Sequence, residues 1–140
     1  MEPSIAIVLP CYNEEQIITD FLSRLEKQIA ALPYPFHIIA VNDSSTDRTL
    51  NLLSEFTPSS PNICISVLDL AFNQGHQGAI YQGMVYAENL PVTHCIVMDS
   101  DGEDDPKAIK KLVNYLDYDI VKVIRGKRNE NLRFKIGYAI

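Results

Sequence analysis

The sequence has few cysteines, no long hydrophobic run and no basic residues at its N-terminus. Each of these features argues against one class of protein. Its three cysteines, Cys11, Cys64 and Cys95, form no CxxC pair and lie in or beside apolar runs. We therefore expect buried thiols in a reducing compartment, not a disulfide framework or a zinc site. No apolar run approaches the ~20 residues that a membrane span needs, and Glu2 and Pro3 replace the basic start of a signal peptide. The expected location is cytoplasmic.

Positive charge is also scarce. The chain has 12 Lys and Arg against 18 Asp and Glu, a formal net charge of −6 at pH 7. That balance argues against a nucleic-acid partner, which requires a basic face. The motifs GxGxxG, GxxxxGK[ST] and GxSxG are all missing. Their absence argues against a nicotinamide dehydrogenase, excludes a P-loop enzyme and leaves no nucleophile elbow.

The sequence does contain a regular alternation of apolar runs and helical patterns. With 140 residues and 46% hydrophobic content, it can form one domain with a substantial core. This alternation predicts a Rossmann-like α/β fold, with a mainly parallel sheet and helices on both faces. Asn13 is expected to cap the first helix with Gln16 as its capping-box partner, and Pro106 to start a helix that runs to residue 116. The predicted strands cover residues 4–10, 36–41, 63–70, 93–98 and 119–124.

An acidic loop follows the fourth predicted strand, with five carboxylates among the seven residues 99–105. Carboxylates this close repel one another unless a cation lies among them. Oxygen ligands of this kind suit Mg²⁺ or Mn²⁺. A solvated acidic turn is the competing interpretation. An EF-hand is excluded because Asp104 and Lys110 occupy its glycine and glutamate positions, whereas a phosphatase of the Asp-x-Asp-x-Thr type stays a rival, with Glu103 at the threonine position.

Each polar cluster of the chain comes directly after a predicted strand. Because ligands bind outside the carboxyl ends of parallel strands, we expect these clusters to share one edge of the sheet. His76 lies in one of them, and this position favours a functional role for it. His37 and His94 are predicted to be ordinary strand residues. The clusters cover residues 11–14, 42–47, 73–78, 99–105 and 125–128.

These clusters also carry a family resemblance. The sequence resembles the family-2 glycosyltransferases, which have the A-type nucleotide-sugar-binding fold, and in particular the polyprenyl-phosphate branch of the dolichyl-phosphate mannose synthase type. The matching segments are VLPCYNEE at 8–15, VNDSSTD at 41–47, NQG at 73–75 with Gly83, MDSD at 98–101 through Pro106, and DIV at 119–121 with Gly126 and Arg128.

The resemblance implies a metal-dependent inverting glycosyltransferase that moves a sugar from a UDP- or GDP-linked donor to a lipid phosphate or a glycan. It implies catalytic roles for Asp99 and Asp101. These two residues and Glu103 would bind Mg²⁺ or Mn²⁺, and Arg128 would contact a phosphate. The residues implied to line the nucleoside pocket are Pro10, Tyr12, Glu14 and Asp43, the last against the base or the ribose.

The sequence departs from the family pattern at Asn42, where Asp is common, at Ser44, where Gly is common, and at Glu103, where this branch commonly has Gln. The expected domain covers residues 1–128. Residues 129–140 are expected to begin a C-terminal continuation that holds acceptor-side elements and associates with the cytoplasmic face of a membrane. Two alternatives stay open: a nucleotide-sugar-binding module without catalysis, and a phosphatase or nucleotidyltransferase on a similar sheet.

Overall fold

Four strands form a parallel sheet at the centre of the structure, a computed structural model that describes residues 2–124 and 133–137. The sheet order is β3-β2-β1-β4. β1 has all seven residues buried and pairs on both sides, so Ile5 lies opposite Phe36 of β2 and His94 of β4. The strands are β1 (Ile5–Cys11), β2 (Phe36–Asn42), β3 (Ile63–Asp69) and β4 (His94–Val97).

Helices cover both faces of this sheet, as the sequence predicts. α1 (Ile18–Ile29), α2 (Thr49–Glu55) and α4 (Ile109–Leu112) contribute to the larger core on one face. Among the helices of residues 2–124, α3 (Gly75–Glu88) is the one that packs against the other face, where small buried residues of the helix meet Ala6, Val8, Ile39 and Val41. None of the helices in the described part of the chain is long and apolar enough to cross a membrane.

The predicted cap of the first helix is wrong. α1 begins at Ile18 without a side-chain cap. Asn13 instead adopts a left-handed backbone conformation, with a φ of 50°, and its side-chain oxygen accepts a hydrogen bond from the Thr46 N–H at 2.8 Å. The asparagine therefore links the loops that follow β1 and β2, a contact that a local helix signal does not reveal.

The fifth predicted strand does not join the parallel sheet. β5 (Ile120–Ile124) pairs antiparallel with β6 (Arg133–Gly137) in a separate two-stranded sheet. Parallel pairing requires a crossover of a dozen or more residues, whereas the short connection between β5 and β6 permits only the antiparallel arrangement.

Two further expectations need correction. Only Cys11 is buried, whereas Cys64 and Cys95 are exposed because they lie on the edge strands β3 and β4. The segment after the acidic loop is helical as predicted, but only its middle is α-helix. 3-10 turns flank α4 at Pro106–Ala108 and Val113–Tyr115.

The contact between α3 and the sheet depends on Gly83. A Cβ atom added at this residue would overlap the Val8 side chain and lie 3.1 Å from Cγ2 of Val41. Both valines are fully buried, so neither can move aside into solvent. The close approach of α3 to β1 and β2 therefore requires glycine at this position.

We expect Gly83→Ala to lower the free energy of unfolding by about 1–3 kcal/mol, because overpacking a closed core exceeds the gain in helix propensity. Urea unfolding measures the change. Gln77→Ala, at an exposed position of the same helix, is the control and should stay within about 0.5 kcal/mol of the wild type. Val8→Ala should recover part of the loss in the double variant; a Gly83→Ala protein as stable as the wild type contradicts the prediction.

Candidate active site

The loops that follow β1 and β2 and the start of α3 surround one cavity of about 290 Å³ at the carboxyl edge of the sheet. All four residues predicted to line a nucleoside pocket lie on its wall: Pro10, Tyr12, Glu14 and Asp43. The other lining residues are Cys11, Asn73, Gly75, His76 and Ala79. The structure thus brings together residues that the sequence places on three separate segments.

Asp43 is the buried anchor of this cavity, with only 3% of its surface exposed. Its N–H donates to the Cys11 carbonyl oxygen at 2.9 Å. Its Oδ1 accepts from the Gln74 N–H at 2.7 Å, and its carbonyl oxygen accepts from Nδ2 of Asn73 at 3.1 Å. These bonds join the end of β2 to the start of α3 and fix the carboxylate in the cavity wall.

The loops after β1 and β2 are also joined by hydrogen bonds. The Glu15 N–H donates to Oδ2 of Asp47 at 3.2 Å, and the Arg48 N–H donates to Oε2 of Glu15 at 3.1 Å. Burial acts to raise the pKa of Asp47, but the hydrogen bonds from Thr49 and from the Glu15 N–H outweigh it and lower that pKa. A rigid pair of loops therefore carries Tyr12 and Glu14.

Ser100, within the acidic loop, is fully buried and contacts the residues of the cavity wall. Its Oγ lies 2.5 Å from Oε2 of Glu14, 3.1 Å from the Pro10 carbonyl oxygen and 3.4 Å from Sγ of Cys11. Ser100 is absent from the site residues that the sequence predicts. No local pattern identifies it, because Ser100 lies in a bend beyond the end of β4 and its partners are 86 to 90 residues away in the chain.

The pKa of the Glu14 carboxyl is raised, chiefly by burial. The hydrogen bond from Ser100 opposes this effect, whereas the charges of Asp101 and Asp99 add to it. Burial is also the main cause that raises the pKa of the Cys11 thiol to about 12. Cys11 is therefore a neutral thiol in the cavity wall and not a nucleophile.

The predicted metal ligands form a cluster in the acidic loop. One carboxylate oxygen from each of Asp99, Asp101 and Glu103 lies within 4.8 Å of the others. The loop is folded by hydrogen bonds from the Asp99 N–H to Oδ2 of Asp104 at 2.7 Å and from the Glu103 N–H to Oδ1 of Asp101 at 2.9 Å. An all-carboxylate donor set of this size fits Mg²⁺ or Mn²⁺.

His76 connects the cavity to this cluster. It lines the cavity, and its Nε2 lies 2.6 Å from Oδ1 of Asp99. The sequence indicated a functional position for His76 but not its partner, which is 23 residues away in the chain. Arg128, the predicted phosphate contact, lies outside the described residues.

Comparison with curated proteins finds relatives that are named as glycosyltransferases and sugar transferases. The chain is 33% identical over 132 residues to an uncharacterized glycosyltransferase, YkcC, of Bacillus subtilis, covering 93% of this chain and 39% of the relative. It is 33% identical over 135 residues to an undecaprenyl-phosphate 4-deoxy-4-formamido-L-arabinose transferase of Pectobacterium carotovorum, covering 95% and 40% of the two chains. The chain thus spans about two fifths of the length of these relatives.

Solved structures of glycosyltransferases share its fold. The structure of S. aureus TarS 1-349 in complex with UDP matches with a TM-score of 0.63 and 26% identity, over 81% of this chain and 32% of that one. The mannosyltransferase PcManGT from Pyrobaculum calidifontis, in complex with GDP-Man and Mn²⁺, matches with a TM-score of 0.57 and 19% identity, over 72% and 28%. The predicted A-type glycosyltransferase fold is therefore confirmed.

The family itself follows from the sequence. The model of the family described as "Glycosyl transferase family 2" matches residues 6–137, nearly the whole chain. The match includes the ends of all four parallel strands and the acidic loop. The chain belongs to glycosyl transferase family 2.

Proposed function

We propose that this chain is the donor-binding part of a metal-dependent inverting glycosyltransferase that transfers a sugar from a UDP- or GDP-linked donor to a polyprenyl phosphate. The proposal depends chiefly on one observation: the cavity that holds Tyr12, Glu14 and Asp43 adjoins the acidic cluster through the contact of His76 with Asp99. A nucleoside and its diphosphate need two such neighbouring sites. Residues 1–128 would form this unit, and residues 129–140 would begin the continuation.

The nucleoside would occupy the cavity. Tyr12 is 46% exposed there and offers an aromatic surface to a base or a ribose. The carboxylates of Glu14 and Asp43 accept hydrogen bonds from base N–H or ribose O–H groups, and Pro10 closes the wall without adding a donor. The ligands named for the neighbours, UDP for TarS and GDP-Man for PcManGT, support a nucleoside diphosphate as the ligand.

The acidic cluster would hold the donor diphosphate through a cation. Asp99, Asp101 and Glu103 would bind Mg²⁺ or Mn²⁺, and the cation would neutralise the charge that grows on the leaving diphosphate. The Mn²⁺ in the PcManGT complex supports this choice of metal. Arg128 would contact a phosphate of the donor or the acceptor.

Inversion requires the acceptor oxygen to attack the anomeric carbon on the face opposite the diphosphate. An ionised phosphate acceptor needs no general base, whereas a sugar hydroxyl needs one, typically a carboxylate. The name of the Pectobacterium relative, an undecaprenyl-phosphate transferase, supports the lipid phosphate over a glycan. A membrane-bound acceptor would in turn bring the protein to the cytoplasmic face of a membrane.

A second candidate is a donor-binding module without catalysis of its own. The observation that favours it is the coverage: the chain corresponds to about two fifths of its relatives. Both candidates bind the nucleotide. Incubation with labelled UDP- and GDP-sugars and undecaprenyl phosphate separates them, because only the first yields a lipid-linked sugar.

Calorimetric titration of UDP and GDP, with and without Mn²⁺, tests the donor site. We expect one nucleotide to bind more tightly in the presence of Mn²⁺, and Asp101→Ala to remove that gain because the cation loses a ligand from its cluster. Asp117→Ala, an exposed acid outside the cavity and the cluster, is the control and should bind as the wild type does. Metal-dependent binding that survives Asp101→Ala contradicts the proposed metal site.

We expect Glu14→Gln to change protein stability and nucleotide affinity in opposite directions. The pKa of the Glu14 carboxyl is raised in the folded state, so the folded state is favoured when this carboxyl is protonated. This contribution to the free energy of unfolding is complete below the unfolded pKa of about 4.3 and is lost as the pH rises through the folded pKa. The variant should therefore gain stability relative to the wild type as the pH rises, while its affinity for the nucleotide falls.

Urea unfolding at several pH values between 4.5 and 8, with nucleotide titrations alongside, measures both effects. Glu55→Gln, an exposed residue at the end of α2, should give a stability difference that does not change with pH. If the stability of Glu14→Gln relative to the wild type stayed constant over this pH range, burial of the ionised carboxylate would not destabilise the folded protein, and the prediction would be contradicted.

A further inference from the structure

His76 lines the cavity and contacts Asp99 of the acidic cluster, but the proposed function assigns it no chemical role of its own. We propose that His76 is a positioning residue that holds the Asp99 carboxylate in the orientation needed to bind the cation. The inference rests on the proposed metal site. It assigns to His76 a hydrogen bond to a metal ligand, not a contact with the metal.

The geometry carries this assignment. Nε2 of His76 lies 2.6 Å from Oδ1 of Asp99, a strong hydrogen bond to a carboxylate. The two side chains are 54% and 32% exposed, so neither is held in place by burial. A carboxylate has about four acceptor sites on its two oxygens. The bond to Oδ1 therefore fixes the side chain and still leaves acceptor sites for a cation.

The backbone of His76 is itself fixed. The Gly75 N–H donates to Oδ1 of Asn73 at 3.1 Å, and the Gln74 N–H donates to the buried Asp43 at 2.7 Å. Gly75 has a φ of +78°, a conformation that lets the chain turn into α3 at this point. The imidazole thus extends from a rigid turn toward a loop of mutually repelling carboxylates.

Asp99 is constrained from its other end as well. Its N–H donates to Oδ2 of Asp104 at 2.7 Å, which sets the backbone at the start of the acidic loop. With the backbone set, the side-chain torsions decide whether the Asp99 carboxylate faces Asp101 and Glu103 or turns away from their charge. The hydrogen bond from His76 opposes that rotation, as outer partners of metal ligands do in other metal sites.

The test measures Mn²⁺ binding to the full chain by electron paramagnetic resonance, which follows the signal of free Mn²⁺ and needs no turnover. Titrations run with Mn²⁺ alone and with the nucleotide that the wild type binds. His76→Leu should weaken Mn²⁺ binding about 10-fold or more, the usual effect of losing an outer partner. His76→Gln should restore most of the affinity, because its amide nitrogen is as many bonds from Cα as Nε2 of histidine.

His76→Asn is the control for His76→Gln, because it has the same amide group on a shorter side chain. Its amide is one bond shorter and cannot reach Asp99, so it should behave as His76→Leu does while it keeps a polar side chain. Gln77→Leu, at the next position of α3, which is also exposed, should bind Mn²⁺ as the wild type does. Urea unfolding midpoints of all variants should agree, since His76 adds no core packing.

Each other outcome overturns the inference in a distinct way. Wild-type Mn²⁺ affinity in both His76→Leu and His76→Asn would leave the metal site intact and remove the positioning role. If His76→Gln lost as much Mn²⁺ affinity as His76→Asn, the imidazole itself would be required, for example as a metal ligand. No Mn²⁺ binding by the wild type, with or without nucleotide, would overturn the proposed metal site and this inference with it.

Discussion

The parallel pairing of β1 with both of its neighbours is the constraint on which the rest of the structure depends. All seven residues of β1 are buried, and the strand exchanges hydrogen bonds with β2 on one side and β4 on the other. Parallel strands end at the same edge of a sheet. The loops after these three strands are therefore neighbours, and their polar side chains surround one site although they are distant in the sequence.

The site concentrates negatively charged side chains at one edge of the sheet. Glu14, Asp43 and the acidic loop all face one edge of a protein whose formal net charge is −6. The pKa of Glu14 is raised because burial and the neighbouring charges of Asp101 and Asp99 disfavour the ionised carboxylate. Hydrogen bonds from Ser100 and His76 hold two of the acids in place. Such an arrangement is useful to a protein whose ligand supplies hydroxyl groups and a cation.

α3 shows how packing on one face of the sheet controls the chemistry at its edge. Gly83 lets the helix approach β1 and β2 closely, and the first turn of the same helix carries Gly75 and His76 into the cavity wall. The bond between the Gln74 N–H and Asp43 fixes the start of the helix. The position of His76 relative to Asp99 is thus set by a contact in the core as well as by the loop.

The sequence by itself determined the fold class, the four parallel strands and the edge at which the site lies. These are consequences of local pattern, because strands of a parallel sheet are rich in apolar residues and the main polar clusters of this chain follow the strand ends. Only the tertiary structure decided which polar side chains touch. Asn13 lost its predicted capping role to a contact with Thr46, Ser100 reached Glu14 across 86 residues, and β5 paired with β6 outside the parallel sheet. Such contacts depend on loop conformation and chain closure, which no short-range pattern records.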